Sequence, residues 1–183
     1  KISKNTSSSR AIPIKKMIQH VKDNMFIPVW WGKNQAGMQA NEQLTGIRLK
    51  LVQKAWRLAG IGACNIALAL NKLGLHKQIT NRLIENFSYV TVVFTTSDLG
   101  NFFWLRKHKD AQPEIRVVAE KMFEAYGNST PKTLKVGEWH LPLVHENEKH
   151  IYDIETQLIL SVARCASTSY QTVDGKHLHP DRA

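Results

Sequence analysis

From about Glu42 to Asn71 the sequence keeps one helical pattern, and this long run constrains the fold more than any other feature. Leu44, Ile47, Leu51, Ala55 and Leu58 recur on a single stripe. The stripe runs into the longest apolar stretch of the chain, Leu58 to Leu70, which Asn65 interrupts. That stretch is too short to span a bilayer and reads as a buried helix. Gly60 and Gly62 either break it or let another element pack closely against it. A chain of 183 residues, 43% hydrophobic and 22% charged, has enough apolar material to enclose such a helix in one domain. The same composition excludes a disordered, collagen-like or disulfide-stapled protein.

The flanking segments predict a mixed fold. Ile14, Met17, Ile18 and Val21 follow Pro13 at helical spacing, with Lys15, Lys16, Gln19 and Lys22 on the other side. Phe26 to Asn41 reads as a loop, and His76 to Ile84 as a helix. Phe87 to Thr95 is dense in β-branched and aromatic residues and predicts a strand. Thr96 or Ser97 can cap the next helix, through Phe102, Phe103 and Leu105, and Pro113 with Glu114 opens another to Tyr126. Glu138 to Val144 suits a strand and Asp153 to Ala166 a helix, while Lys1 to Arg10 reads as a polar loop and the tail after Tyr170 is polar. The expected architecture is α+β: one mixed domain over 1–183, incomplete at both ends, with helices around a small sheet.

Charge is distributed unevenly. Residues 1–60 hold eleven Lys/Arg against Asp23 and Glu42, a net of +9, whereas the rest of the chain carries +1. An anionic partner is therefore expected at the N-terminal third. Cys64 and Cys165 share no metal or redox spacing, which favours a reduced, cytoplasmic chain. His140, His145 and His150, spaced by five, do not share a helix face, and no Cys or acidic pair completes a set with them or with His177 and His179, so no metal is expected. Gly60-Ile61-Gly62 lacks the third glycine of a dinucleotide fingerprint. Trp30, Trp31 and Trp56 suit core or loop anchors better than base stacking.

The segment from Ser3 to Arg10 concentrates chemistry. Ser3, Asn5, Thr6, Ser7, Ser8, Ser9 and Arg10 place hydroxyls, an amide and a guanidinium just ahead of a helix. Such a set suits a phosphate, although the same composition also makes a solvated linker. Arg106 closes the helical segment Asn101-Phe-Phe-Trp-Leu-Arg106, and its head either reaches a pocket wall or snorkels along the surface.

Taken together, these blocks resemble the flavin-dependent thymidylate synthases, in particular a phage-like branch. The family's S-x-N-x-x-S-x-R is matched by Ser3, Asn5, Ser8 and Arg10. Its N-x-x-x-L/W-x-R stretch followed by AQ-x-EIR is similar to Asn101–Arg106 and Ala111–Arg116. Gln78 and Arg82 resemble a Q-x-x-x-R element, and Ala163 to Tyr170 an A-A-R-x-S-Y segment. The chain departs from the pattern as well: Thr6 stands for the signature's Glu and Ser9 for its Gly, the Asn expected near Thr95 is not there, and the last block follows the signature instead of preceding it. R-H-R and H-x-S-P-x-E-H do not occur in these 183 residues.

The resemblance implies a methyltransferase that converts dUMP to dTMP, with methylenetetrahydrofolate as carbon donor, NADPH as reductant and FAD as cofactor. It implies that Ser7, Ser8, Ser9, Arg10 and Arg82 hold dUMP, that Arg106 contacts uracil and is catalytic, and that Thr6, Thr95 and Asn101 touch FAD. It also implies a homotetramer with shared sites, in the cytoplasm (of a host, if phage-encoded), with no membrane partner. From a different class comes an alternative, a basic phage nucleic-acid-binding protein without enzymatic activity, which the charge of the N-terminal third and the tryptophans support.

Overall fold

The computed structural model describes residues 2–37 and 39–167. The polar tail after Tyr170, His177, His179 and the end of the 163–170 block lie outside them. The order of elements is β1 (Ile2–Thr6), α1 (Ile14–Asp23), α2 (Gly46–Lys72), α3 (Lys77–Thr80), two 3-10 turns (Asn81–Leu83 and Glu85–Phe87), β2 (Val92–Thr96), α4 (Gly100–Arg106), α5 (Pro113–Asn128), α6 (Glu146–Lys149) and α7 (Ile154–Ala166). The fold is α+β, as expected. Among the described residues no helix is long and apolar enough to cross a membrane.

Helix α1 follows its periodicity. Ile14, Met17, Ile18 and Val21 are all buried, and they form a core with Cys64 and Ala67 of α2 and Ile84 of the connecting turns. Burying each large side chain of this group contributes about 1.5–3 kcal/mol. Pro13 is the N-cap rather than the first helical residue. Burial pushes the Cys64 thiol up from its ordinary range, so it behaves as a core group and not as a nucleophile.

Helix α2 corrects the sequence reading twice. Neither Gly60 nor Gly62 breaks it, and it runs unbroken for 27 residues. Gly60 instead allows close packing: a Cβ there would lie 2.6 Å from Met25 Cε and 3.1 Å from Phe87 Cδ1. The second correction concerns the apolar stripe, which does not face the core. Ile47 is 76% exposed, Leu51 61%, Leu58 59% and Ile66 57%, whereas the buried residues are Gly60, Cys64 and Ala67. Small side chains bring α1 near, and the larger ones fall on the opposite side of the helix. Trp56, on the inward side, donates to the Phe26 carbonyl (2.9 Å) and packs with Trp31, Phe26 and Phe87. Trp30 donates to the Ala40 carbonyl, so Trp30, Trp31 and Trp56 serve as loop and core anchors.

The start of the chain is not a loop. Ile2–Thr6 forms β1 and pairs antiparallel with β2, in a register running from Ile2 opposite Thr96 to Thr6 opposite Val92. Polar residues alone do not announce an edge strand, because a two-stranded ribbon leaves much of its surface to water. The predicted strand 87–95 is trimmed at its start, where Glu85–Phe87 is a 3-10 turn, and the predicted helix 76–84 divides into α3 and the turn Asn81–Leu83. Thr96 does shape the entry to α4, but through a turn: its Oγ1 accepts from the Asp98 amide, and Asp98 Oδ1 accepts from the Gly100 amide.

Residues 138–144 are not a strand. Pro142 has no N–H to give to a ladder, and Leu143 adopts a φ of 65°, which carries the chain into a turn. This irregular segment is held by α7. Ser161 donates to the Pro142 carbonyl, Arg164 to the Leu143 carbonyl, and Gln157 to the carbonyls of Lys149 and Tyr152. Arg164, with a side chain 3% exposed, also makes a bidentate pair with Glu148 at 2.6 and 2.7 Å. That guanidinium holds the Glu148 carboxyl down to about 2. Helices α4 and α5 meet through rings, with Phe103 against Phe102, Phe123 and Tyr126.

Candidate functional site

Where β1 ends, the chain turns over the 3-10 segments and encloses a cleft of about 420 Å³. Thr6, Ser7, Ser8 and Ser9 line one wall, Glu85, Ser88, Tyr89 and Val90 the other, and Ile12 and Met17 add apolar surface. The volume lies within the range of small-ligand sites, and the combination of apolar surface with convergent hydroxyls is the usual chemistry of one.

The serine loop is held in place from several directions. The Ser7 amide donates to the Thr91 carbonyl at 2.9 Å, and the Thr91 amide donates back to Ser7 Oγ. Asn81, fully buried, donates from Nδ2 to the carbonyls of Ser9 and Ile12. Lys77 donates from Nζ to the Ala11 carbonyl at 2.9 Å. Ser9 Oγ donates to Glu85 Oε1 across the cleft. A loop with this many ties loses little further freedom when a ligand arrives, so its hydroxyls are preorganised. Tyr89 joins the cleft to the aromatic core through an edge contact with Phe26, ring centroids 5.5 Å apart.

One polar atom at the cleft is left over. Thr6 Oγ1 is buried and has no hydrogen-bond partner, a state that costs about 1–3 kcal/mol unless something supplies one.

The structure thus brings Thr6, Ser7, Ser8 and Ser9 together and leaves the other sequence candidates outside the lining. Arg10 and Arg82 are exposed, the first following the lining residue Ser9 in sequence and the second lying between Asn81 and Glu85. Arg106 is exposed in the last turn of α4, and Asn101 is exposed in its first. Thr95 pairs with Ser3, three register steps from the Val92–Thr6 pair. By strand alternation it projects from the opposite sheet face to Thr6. Thr6 and Thr95 thus face opposite sides of the ribbon, and Asn101 lies beyond it in the first turn of α4. Asn5, a member of the same motif, serves the fold instead. Its Nδ2 donates at 2.7 Å to both the Cys165 and the Ala166 carbonyl and so closes the C-terminal end of α7.

Sequence reasoning misses Asn81 and Glu85. Both occur in Asn81-Arg-Leu-Ile-Glu85, four residues apart on tight turns, and only Arg82 of that segment stands out in the sequence. Asn81 does carry a signal, since a short amide side chain between predicted apolar positions is a ready clamp for irregular backbone. His145 also has a local role, capping α6 with Glu148 in a reciprocal box.

Compared with protein-family models, with curated proteins and with solved structures, the chain finds no match in any of the three.

Proposed function

We propose that the chain is the nucleotide-binding part of an FAD-dependent thymidylate synthase, a methyltransferase converting dUMP to dTMP with methylenetetrahydrofolate as carbon donor and NADPH as reductant. The observation that carries this reading is that the motif segment Thr6–Ser9 forms a wall of the hydroxyl-lined cleft and is tied down there by Asn81 and Thr91. Ser7, Ser8 and Ser9 offer hydrogen bonds to the nucleotide, and the exposed Arg10 and Arg82 are assigned to the phosphate. Arg106, outside that lining, is assigned to the uracil of a site shared between chains, and there its charge stabilises the ring as negative charge develops on it. Assigning Thr95 and Asn101, also outside the lining, to the flavin of that site calls for the same sharing. A homotetramer meets it, and the uncovered outer face of α2, with Ile47, Leu51, Leu58 and Ile66, supplies apolar surface for assembly.

Calorimetry tests the binding half. Arg10→Ala or Arg82→Ala should weaken dUMP by about 1.5–3 kcal/mol and leave deoxyuridine, which has no phosphate, almost unaffected. Equal losses for both ligands would overturn the assignment. For the catalytic half, Arg106→Ala should retain most dUMP affinity while turnover falls by about 10²–10³. An unchanged rate would remove Arg106 from the chemistry.

A second reading, a nucleic-acid-binding protein, has its own support. Lys15, Lys16 and Lys22 of α1 and Arg48, Lys50, Lys54 and Arg57 of α2 are all exposed. Among the described residues of the N-terminal third, Lys33 alone forms an ion pair, with Glu42. Binding of single-stranded DNA whose affinity falls steeply with salt would favour this reading over the first.

A further inference from the structure

The cleft has an electrostatic character that the serine loop alone does not suggest. Six of its lining residues, Thr6, Ser7, Ser8, Ser9, Ser88 and Tyr89, bear hydroxyls, and the single charged residue is Glu85. No lysine or arginine lines it. A phosphate placed inside would face a carboxylate without a countercharge, so the interior suits the part of a ligand that donates hydrogen bonds and carries no charge. Glu85 is half satisfied already: Oε1 accepts from Ser9 Oγ, and Oε2 is the oxygen turned to no partner among the described residues. An ionised carboxylate accepts only, so the group that meets Oε2 must donate.

Resting on the reading that this cleft takes dUMP, we infer that Glu85 receives the sugar 3′-hydroxyl and that Ser9, by occupying the other carboxylate oxygen, leaves room for one hydroxyl donor rather than two. A 2′-deoxyribose 5′-phosphate has one free sugar hydroxyl, whereas ribose presents a neighbouring pair that a free carboxylate binds with both oxygens. The phosphate then points outward, away from Glu85, where the exposed Arg10 and Arg82 are the cations assigned to it, and the orientation of the nucleotide follows from the distribution of charge. Glu85 is in this account a specificity-determining residue of the nucleotide site, and Ser9 sets how many of its oxygens are open.

The experiment is a calorimetric series on the full chain with dUMP, 2′,3′-dideoxyuridine 5′-monophosphate and UMP. The parent should bind dUMP about 10- to 150-fold more tightly than the dideoxy compound, the worth of a hydrogen bond to a charged group. Glu85→Ala should shrink that gap to about threefold or less. Ser9→Ala, which frees Oε1, should raise the affinity for UMP relative to dUMP. Equal binding of dUMP and the dideoxy compound by the parent overturns the role of Glu85 while leaving the dUMP site standing. Failure of the parent to bind dUMP at all overturns both. The parent's own ligand series decides the matter even if Glu85→Ala does not fold, which its thermal unfolding curve would show.

Discussion

Helix α2 meets the rest of the protein through Gly60, Cys64 and Ala67, whereas helix α7 meets it through Gln157, Leu160, Ser161 and Arg164. The difference lies in what each helix packs against. Much of the contact surface of α2 comes from α1, whose backbone groups are already bonded within a helix, and from the side chains of Met25 and Phe87. Apart from the Phe26 carbonyl, which Trp56 serves, little there needs a donor, and the helices approach as closely as small side chains allow. The neighbour of α7 is the chain from Pro142 to Tyr152, irregular except for the single turn of α6, and its carbonyls at Pro142, Leu143, Lys149 and Tyr152 have no ladder to enter. Buried carbonyls need partners, so α7 turns donors inward. The polarity of a helix's buried face thus reflects the regularity of its neighbour as much as its own depth.

The contrast is broken most sharply at Arg164. Arg164→Ala should cost about 3–5 kcal/mol in chemical denaturation, because it strands the Glu148 carboxylate and the Leu143 carbonyl together. Acid should act on the same pair. With the Glu148 carboxyl held at about 2 rather than its ordinary value of 4.5, its contribution is complete above about 4.5 and fades as pH falls toward 2. The loss amounts to about 3 kcal/mol across that window, and Glu148→Gln should flatten the pH dependence of unfolding there. On α2 the sensitive change is one of size. Ala67→Leu overfills a site with no exposed surface and should cost about 1–3 kcal/mol, while an equally apolar Cys64→Ala should cost less. The smallest effect belongs to the outer face, where Leu58→Gln should change the stability of the fold by no more than about 0.5 kcal/mol. Sedimentation of the same variant should nevertheless show weaker self-association, and a stability loss as large as that of Ala67→Leu would mean that the two faces of α2 are not distinct.

What can be read from the sequence follows the same division. The α1 stripe, the start of α5 at Pro113 and the helix read from Asp153 to Ala166 rest on local rules, and all three stand where the sequence places them, Asp153 being the N-cap of α7. The α2 stripe is visible as a pattern, but periodicity does not say whether an apolar face turns to the core or to another molecule, and here small residues win the inward side. β1 escapes a local reading because its partner lies far along the chain, and no signal in Ser3-Lys4-Asn5 reports it. The hydroxyls of the cleft are recognisable from composition. Its acid is not, since Glu85 gains meaning only when Ser9 is brought across from the other wall.

That long-range pairing has a kinetic consequence. Joining Thr6 to Val92 closes a loop of about ninety residues, an entropic cost that local helices never meet. Helices α1 and α2 form locally and dock through core residues about half as far apart in sequence, so the ribbon, and with it the serine wall of the cleft, is expected to complete among the last events of folding. Substitutions in β1 should then speed unfolding far more than they slow refolding. A ligand bound across the two walls would act as a latch on that late step, slowing the escape of the N-terminal strand from the folded protein.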